Sequence, residues 1–389
     1  MLSGAKIIIS PLLFWVGWSI IVYIPINLPQ IGNEEIDAVV QVMKSGMLTS
    51  GLGAGPRVVE FEKNFAEFAG VKHAIAVNTG TAALHAAILA SKIKFGDEVI
   101  LPSFTFVATA EAVALAGGKP VFVDIDPETF TISPQAIEKA ITEKTKAIVP
   151  VDLYGLSADI KPIKAIAAKH SLLIVEDCAQ SHGATYEDKP AGALADLACW
   201  SLYAAKNIGT GEGGVVTTDN DELAETVRMI RTHGEKVKYS SIILGTNYRM
   251  TEIQAAIGIV QLKKLPNFLD KRTRNANNLT TLLEKSEKIV LPPKLENRKP
   301  SWYLYTIRIK DATEDKRNNV IKQMHEKGIG AEAYYPTPVH HMPYYEQNFG
   351  KFNLPETDKA AKQVLSLPIH PNVTNDQVEF IAKTLLELL

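Results

Sequence analysis

Seven short runs, each apolar on both faces, constrain the fold of this chain more than any other feature. They are HAIAVN (residues 73–78), EVILP (98–102), PVFVDI (120–125), AIVPVD (147–152), LLIVED (172–177), LACWSL (197–202) and GVVTTD (214–219). A strand with one wet face alternates apolar and polar residues, whereas a strand covered on both faces reads as a continuous apolar run. Helical patterns fall between them, at residues 57–69, 82–89, 134–141 and 160–169. Residues 33–44 put Ile36, Val39, Val40 and Met43 on one helical face. This alternation predicts an open, layered α/β domain with a mostly parallel central sheet.

The texture changes near residue 251. Helical stretches at 252–265 and 275–285, a β-rich run at 302–309 and helices at 316–327 and 375–389 predict a smaller α+β domain. The expected division is a hydrophobic amino-terminal extension at 1–24, a large domain at 25–250 and a small carboxyl-terminal domain at 251–389. Residues 7–26, IIISPLLFWVGWSIIVYIPI, are about as long as a membrane span. Pro11, Gly17 and the lack of a flanking basic cluster weigh against a span, and no A-x-A-like site marks a signal peptide. The segment is read as an extension, with anchor or signal as the other readings, and membrane contact is expected only if it acts as an anchor.

Lys plus Arg number 41 and Asp plus Glu 43, a net charge of −2 that leaves no electrostatic footprint for nucleic acid. Two cysteines, Cys178 and Cys199, can build neither a disulfide framework nor a four-cysteine zinc site. The expected compartment is the cytoplasm, and no metal is expected.

Ligands of open α/β sheets gather at the carboxyl ends of the strands. Asn78-Thr79-Gly80-Thr81 joins one such end to a helix, and unpaired N–H groups at a helix amino terminus suit a phosphate. Glu176-Asp177 ends another strand, with Gln180 beyond it; a buried acid there needs a cationic partner such as a protonated ring nitrogen. A third end carries Ser201 and Lys206, and a lysine amid Ala204, Ala205 and glycines can be desolvated into a Schiff-base amine. Gly209 to Gly214 spells G-x-G-x-x-G, but a strand follows where a dinucleotide site needs a helix, so that reading is rejected. Phosphate cradle, acid, hydroxyl and lysine together are what pyridoxal phosphate (PLP) requires.

The runs VNTGTAALHAAIL, LPSFTFVATAEAV, VEDCAQSHGA, SLYAAKNIGTGEGG, NYRMTEIQAAIG and YYPTPVHHMPYY stand in an order and spacing that resemble the DegT/StrS family of PLP-dependent sugar aminotransferases. The resemblance implies the fold-type I, aspartate aminotransferase-like architecture. It implies that Lys206 holds PLP covalently and shuttles a proton, with Asp177 paired to the ring nitrogen and Phe106 stacked on the ring. Gln180 is expected near the ring's phenolic oxygen, and Gly80, Thr81 and Ser201 at the phosphate. Asn247 would reach the same phosphate from the partner subunit of a homodimer with shared sites, and His340 would line the sugar pocket. The implied reaction moves an amino group from an amino acid, with glutamate the expected donor, to a nucleotide-linked keto sugar in amino-sugar and polysaccharide biosynthesis. A regulatory PLP-binding protein and a PLP- or PMP-dependent sugar dehydratase are the alternatives; dehydratases of the family carry histidine where Lys206 stands. Two departures occur. Ala205 stands where Ser or Thr is frequent, and Val151-Asp152-Leu153-Tyr154-Gly155 replaces a frequent V-H-L-Y-G, placing an acid where a rim histidine is expected. Tyr334, Tyr335, Tyr344, Tyr345 and the small residues of 50–56 are expected near the pocket. No arginine follows Arg317, so a small-domain carboxylate clamp is not expected.

Overall fold

The structure, a computed structural model, describes residues 23–51 and 53–389 in full and the backbone alone of 13–16 and 19–22. Leu13–Val16 and Ser19–Val22 pair antiparallel. Most of the hydrophobic segment at 7–26 lies outside the fully described residues. Among the described residues no helix is long and apolar enough to cross a membrane.

The seven apolar runs form one sheet: β1 (His73–Val77), β2 (Glu98–Pro102), β3 (Lys119–Val123), β4 (Thr145–Ile148), β5 (Leu173–Asp177), β6 (Leu197–Ser201) and β7 (Gly214–Thr218), in the order β1-β7-β6-β5-β4-β2-β3. The pairs from β6 across to β3 are parallel, and β7 runs antiparallel to both of its neighbours. Helices cover both faces, as the two-sided apolar runs require. Ile75 and Val77 of β1 pack with α3 (Gly80–Ala90), α4 (Ala108–Leu115) and α7 (Asp221–Arg231). Ala74 and Ala76 point the other way, to Phe61 and Phe65 of α2 (Pro56–Ala69), following the two-residue period of a strand. Ile137 of α5 (Pro134–Ala140) and Ile163 of α6 (Ile160–His170) cover Ile100, Ile148 and Ile174. Helix α1 (Asn33–Ser45) lies outside, against α8 (Glu252–Leu283).

Helix α8 departs from expectation. In place of two stretches it is one helix of 32 residues with Pro266 inside, opened by a capping box in which Thr251 Oγ1 accepts from Gln254 N. An internal proline costs about 3 kcal/mol. Leu265 and Phe268, buried on either side of it, contribute about 1.5–3 kcal/mol each, so packing outweighs the break. The boundary expected at residue 250 is also crossed: Ala255, Ile259, Leu265 and Phe268 belong to the large-domain core, Ala276, Leu279 and Leu283 to the other. That second core packs α9 (Glu314–Glu326) and α12 (Asn375–Leu388) on the antiparallel strands β8 (Ile289–Val290), β9 (Tyr305–Ile309) and β10 (Val364–Leu367). Ile24 joins it: Ile24 N donates to Gly328 O and Gly330 N to Ile24 O, both at 2.8 Å. A Cβ on Gly330 would lie 2.8 Å from Ile26 N, so only glycine admits this strand-like crossing.

Candidate active site

Beyond the carboxyl ends of β1, β2, β5 and β6 opens a cleft of about 700 Å³. It is lined by seven of the expected residues: Gly80, Thr81, Phe106, Asp177, Gln180, Ser201 and Lys206. Sequence distances of up to 126 positions thus close into one site because four strand ends share one edge of the sheet.

The phosphate-type turn is tightly built. Thr79 caps α3, its Oγ1 accepting from Ala82 N at 3.0 Å, which aims the helix's first free N–H groups into the cleft. A Cβ on Gly80 would fall 2.7 Å from Ser201 Cβ, and one on Gly214 would fall 2.2 Å from Thr79 O. The glycine-rich run rejected as a dinucleotide loop therefore serves another purpose. It folds back on the lysine loop, with Ala204 N donating to Gly211 O at 2.9 Å and Leu202 N to Gly213 O at 2.8 Å.

Asp177 is buried, and its carboxylate is held on both oxygens: Oδ2 accepts from Thr109 Oγ1 at 2.8 Å and Oδ1 from Ala179 N at 3.1 Å. Thr105 Oγ1 lies 3.0 Å from Thr109 Oγ1 and extends the network. Burial raises the Asp177 pKa, opposed by Thr109, Ala179 and the charge of Lys206. Lys206 is half-buried; desolvation brings its amine down to about 8, opposed by Asp177, and Nζ lies 4.7 Å from the Tyr303 ring centre. Gln180 is fixed at both ends: Oε1 accepts from Tyr154 N at 2.7 Å and Nε2 donates to Tyr335 Oη at 3.2 Å. The Phe106 ring is 55% exposed and faces the cleft beside Tyr335, leaving an aromatic face open to a planar ligand. Burial raises the Tyr335 and Tyr303 hydroxyls well above the ordinary value and Tyr334 to about 12, so all three are neutral donors at working pH.

Two expected residues lie elsewhere. Asn247 is exposed, its Oδ1 accepting from Arg249 N at 3.4 Å, and does not line its own chain's cleft. His340 is 2% exposed behind β2, with Nδ1 2.6 Å from Ser103 Oγ, and does not line the cleft either. Of the four small-domain tyrosines, Tyr334 and Tyr335 line the cleft. Tyr345 is instead packed in the core against Phe122, and Tyr344 faces away from the cleft. Gly53 and Gly55 serve close packing instead: a Cβ on Gly53 would fall 2.8 Å from Thr232 Oγ1 and one on Gly55 would meet the Glu252 carboxylate at 2.5 Å. Asp152 is not at a rim. It is sealed in the core, Oδ1 accepting from Ala158 N at 2.8 Å, with its pKa raised to about 6 by burial.

The sequence reading missed Ile26, Asn27, Thr105, Thr109, Tyr203, Glu212 and Tyr303, all of which line the cleft. Thr109 was within reach: it stands one helical turn after Thr105 in the run after β2, which aims both hydroxyls the same way. No local signal marks Tyr303.

These residues fit PLP. The Gly80–Ser201 contact leaves a seat that a side chain would fill, the capped helix offers N–H groups to a phosphate, Asp177 can hold a ring N–H and Lys206 Nζ can reach a carbonyl carbon. When bound, PLP supplies an electrophilic carbon and a ring that withdraws electrons from the carbon bearing the nitrogen.

Comparison with known proteins agrees. The family model for the DegT/DnrJ/EryC1/StrS aminotransferases matches residues 29–386. A "pleiotropic regulatory protein" of Geobacillus stearothermophilus is 41% identical, over 90% of this chain and 94% of that one. The GDP-perosamine synthase of Caulobacter vibrioides is 39% identical, over 94% of this chain and 98% of that one. The crystal structure of S. venezuelae DesV in complex with a ketimine intermediate superposes with a TM-score of 0.86 at 37% identity, covering 91% and 94% of the two chains. The chain belongs to the DegT/DnrJ/EryC1/StrS aminotransferase family and is a fold-type I, PLP-dependent aminotransferase.

Proposed function

We propose that the enzyme transfers an amino group from an amino acid, with glutamate the expected donor, to a keto sugar carried on a nucleotide, in amino-sugar biosynthesis. The observation that carries this reading is the cleft itself: it is roomy, walled by Tyr203, Tyr303, Tyr334 and Tyr335, and no arginine is among its described lining residues. Tyrosines offer flat apolar faces with a polar tip, suited to sugar and nucleobase, and among its described lining residues the cleft holds no guanidinium fork that would restrict its acceptor to small keto acids. Arg317, the last arginine of the chain, is spent elsewhere: it is buried, donating to Ala361 O at 2.8 Å. The synthase named for GDP-perosamine supports the nucleotide.

Each residue's task follows from its surroundings. Asp177, kept in place by Thr109 and Ala179, holds a proton on the ring nitrogen. Lys206, its amine lowered to about 8 by burial, would hold the cofactor through its carbonyl carbon and take up and return a proton at the substrate carbon. Gly80, Thr81 and Ser201 seat the phosphate, Gln180 orients the ring's phenolic edge, and Phe106 supports the ring face. Asn247, exposed and outside its own cleft, completes the phosphate site of a partner subunit in a homodimer.

The test is half-transamination. Enzyme charged with the amino form of the cofactor should regain its yellow absorbance on adding a nucleotide-linked keto sugar, and much more slowly with the unlinked sugar, because remote binding energy holds the reacting carbon in place. Equal rates remove the nucleotide from the reading. No return of absorbance with any keto sugar would overturn the sugar acceptor.

A further inference from the structure

The carboxyl-terminal side of the large domain carries a second set of converging donors. Val339–His341 form a short 3-10 turn, and α11 (Pro355–Gln363) follows after α10 (Pro343–Phe349). His340 Nε2, His341 Nε2 and an Asp358 carboxylate oxygen all lie within 4.8 Å of one another. Asp358 Oδ1 is 2.8 Å from His341 Nε2 and 3.5 Å from His340 Nε2.

One atom of this group lacks a partner. His340 is 2% exposed, yet its Nε2 has no hydrogen-bond partner although it is aimed at Asp358. Buried polar atoms are rarely left so, and an orphan calls for a missing ligand or ion. The other ring nitrogen is already oriented: Nδ1 lies 2.6 Å from Ser103 Oγ. Metal-ligating histidines are held in this way, the second nitrogen anchored so that the first presents its lone pair.

The spacing suits a tetrahedral ion. Bonds of about 2.0–2.2 Å put neighbouring donors about 3.3–3.6 Å apart; the His340–Asp358 separation of 3.5 Å already matches, while His341 and Asp358, now hydrogen-bonded at 2.8 Å, would part by about 0.6 Å to admit the ion. Asp124 and Glu346 add negative potential around His340. The His341 and Asp358 side chains are 49% and 33% exposed, which gives an ion a way in and leaves the fourth position to water. The other trio of converging donors among the described residues, Asp152, Glu176 and Cys178, is buried throughout and has no such entry.

We propose that His340, His341 and Asp358 form a binding site for a divalent cation of the zinc class, outside the cofactor cleft and independent of the amino-transfer reading. Two imidazoles and one carboxylate select zinc, cobalt or nickel over magnesium or calcium. The ion fastens the 3-10 turn to α11. Because Val339 N donates to Ser103 O at 3.0 Å, the turn is itself tied to the segment from Ser103 to Phe106 that lines the cleft.

The experiment titrates chelator-treated, PLP-loaded full-length enzyme with Zn²⁺ against a chromophoric competitor, and with Co²⁺ while recording its visible d–d bands. One Zn²⁺ per chain is expected, with intense tetrahedral Co²⁺ bands and no displacement by millimolar Mg²⁺. His341→Ala and Asp358→Asn change partly exposed side chains and should keep the wild-type melting temperature without metal while binding Zn²⁺ at least 10-fold more weakly. Stoichiometric binding unchanged in both variants would place the ion elsewhere, and absence of saturable binding would leave a simple His–Asp hydrogen-bond cluster; either result overturns the proposal.

Discussion

Replacing Gly80 with alanine tests whether the seat between α3 and β6 is as tight as its geometry implies. The new Cβ would sit 2.7 Å from Ser201 Cβ and 3.0 Å from its Oγ. Carbons pack comfortably at about 3.5–4.0 Å, so the overlap is about 1 Å against an atom fixed to the backbone. Forcing a group into a filled site costs about 1–3 kcal/mol, and an overlap this large belongs at the upper end. Alanine in a helix returns about 0.5–1 kcal/mol relative to glycine, leaving a net loss of about 2 kcal/mol. The urea midpoint of the apoenzyme should then fall by roughly 0.5 M, since the denaturant slope grows with chain length. Ser201→Gly removes both overlapping atoms, and the next nearest, Ser201 Cα, is 3.2 Å away. In that background Gly80→Ala should cost less than about 1 kcal/mol, a coupling well above the usual additivity error. PLP affinity should stay weak in the double variant, since the Ser201 hydroxyl is gone. A Gly80→Ala enzyme as stable as wild type, or one whose loss is the same in both backgrounds, would refute the reasoning.

Three further outcomes are expected. The rate at which apoenzyme captures PLP covalently should rise with pH and level off above about 8, where the Lys206 amine is neutral; an ordinary lysine would keep rising to about 10. The sign for stability agrees: a lysine pKa depressed by folding penalises the folded apoenzyme below about 8, and the penalty is relieved as pH climbs from there toward the unfolded value. Mixing Lys206→Ala and Asn247→Ala protomers should restore activity at about a quarter of the sites, because half of each heterodimer is intact; verified heterodimers without activity would remove the shared site. A chain beginning at Tyr23 should melt like the full chain. One beginning at Ile26 loses buried Ile24 and both of its hydrogen bonds, and should be destabilised by about 2–5 kcal/mol, read in urea unfolding of the small domain.

The large domain was legible because its strands are buried on both faces, and burial on both faces writes an unmistakable apolar run. The strand ends then told where Asp177 and Lys206 would sit. Other features were hidden for physical reasons. The orientation of β7 depends on a hairpin closed by residues 209–213, and a two-sided apolar run reads identically in either direction. Pro266 reads as a helix breaker unless one knows that Leu265 and Phe268 have a core waiting for them. Tyr303 and Tyr335 reach the cleft from separate loops of the small domain, and two Tyr-Tyr pairs diverge: Tyr335 lines the cleft while Tyr345, ten residues on, fills a core. The histidine-to-aspartate departure at Asp152 misled for the same reason, since strand position says nothing of depth behind the sheet.

The placement of β1 has a consequence for synthesis on the ribosome. Its partner in the sheet is β7, which arrives only after about 140 further residues, or roughly 10–30 s at ordinary translation rates. Throughout that interval HAIAV is an apolar strand with both hydrogen-bonding edges bare, the kind of segment that nucleates aggregation. Helices α2 and α3 can shield its faces but not its edges. The edge of β1 that joins the sheet is therefore closed late, by a contact of high sequence separation, and such contacts slow folding.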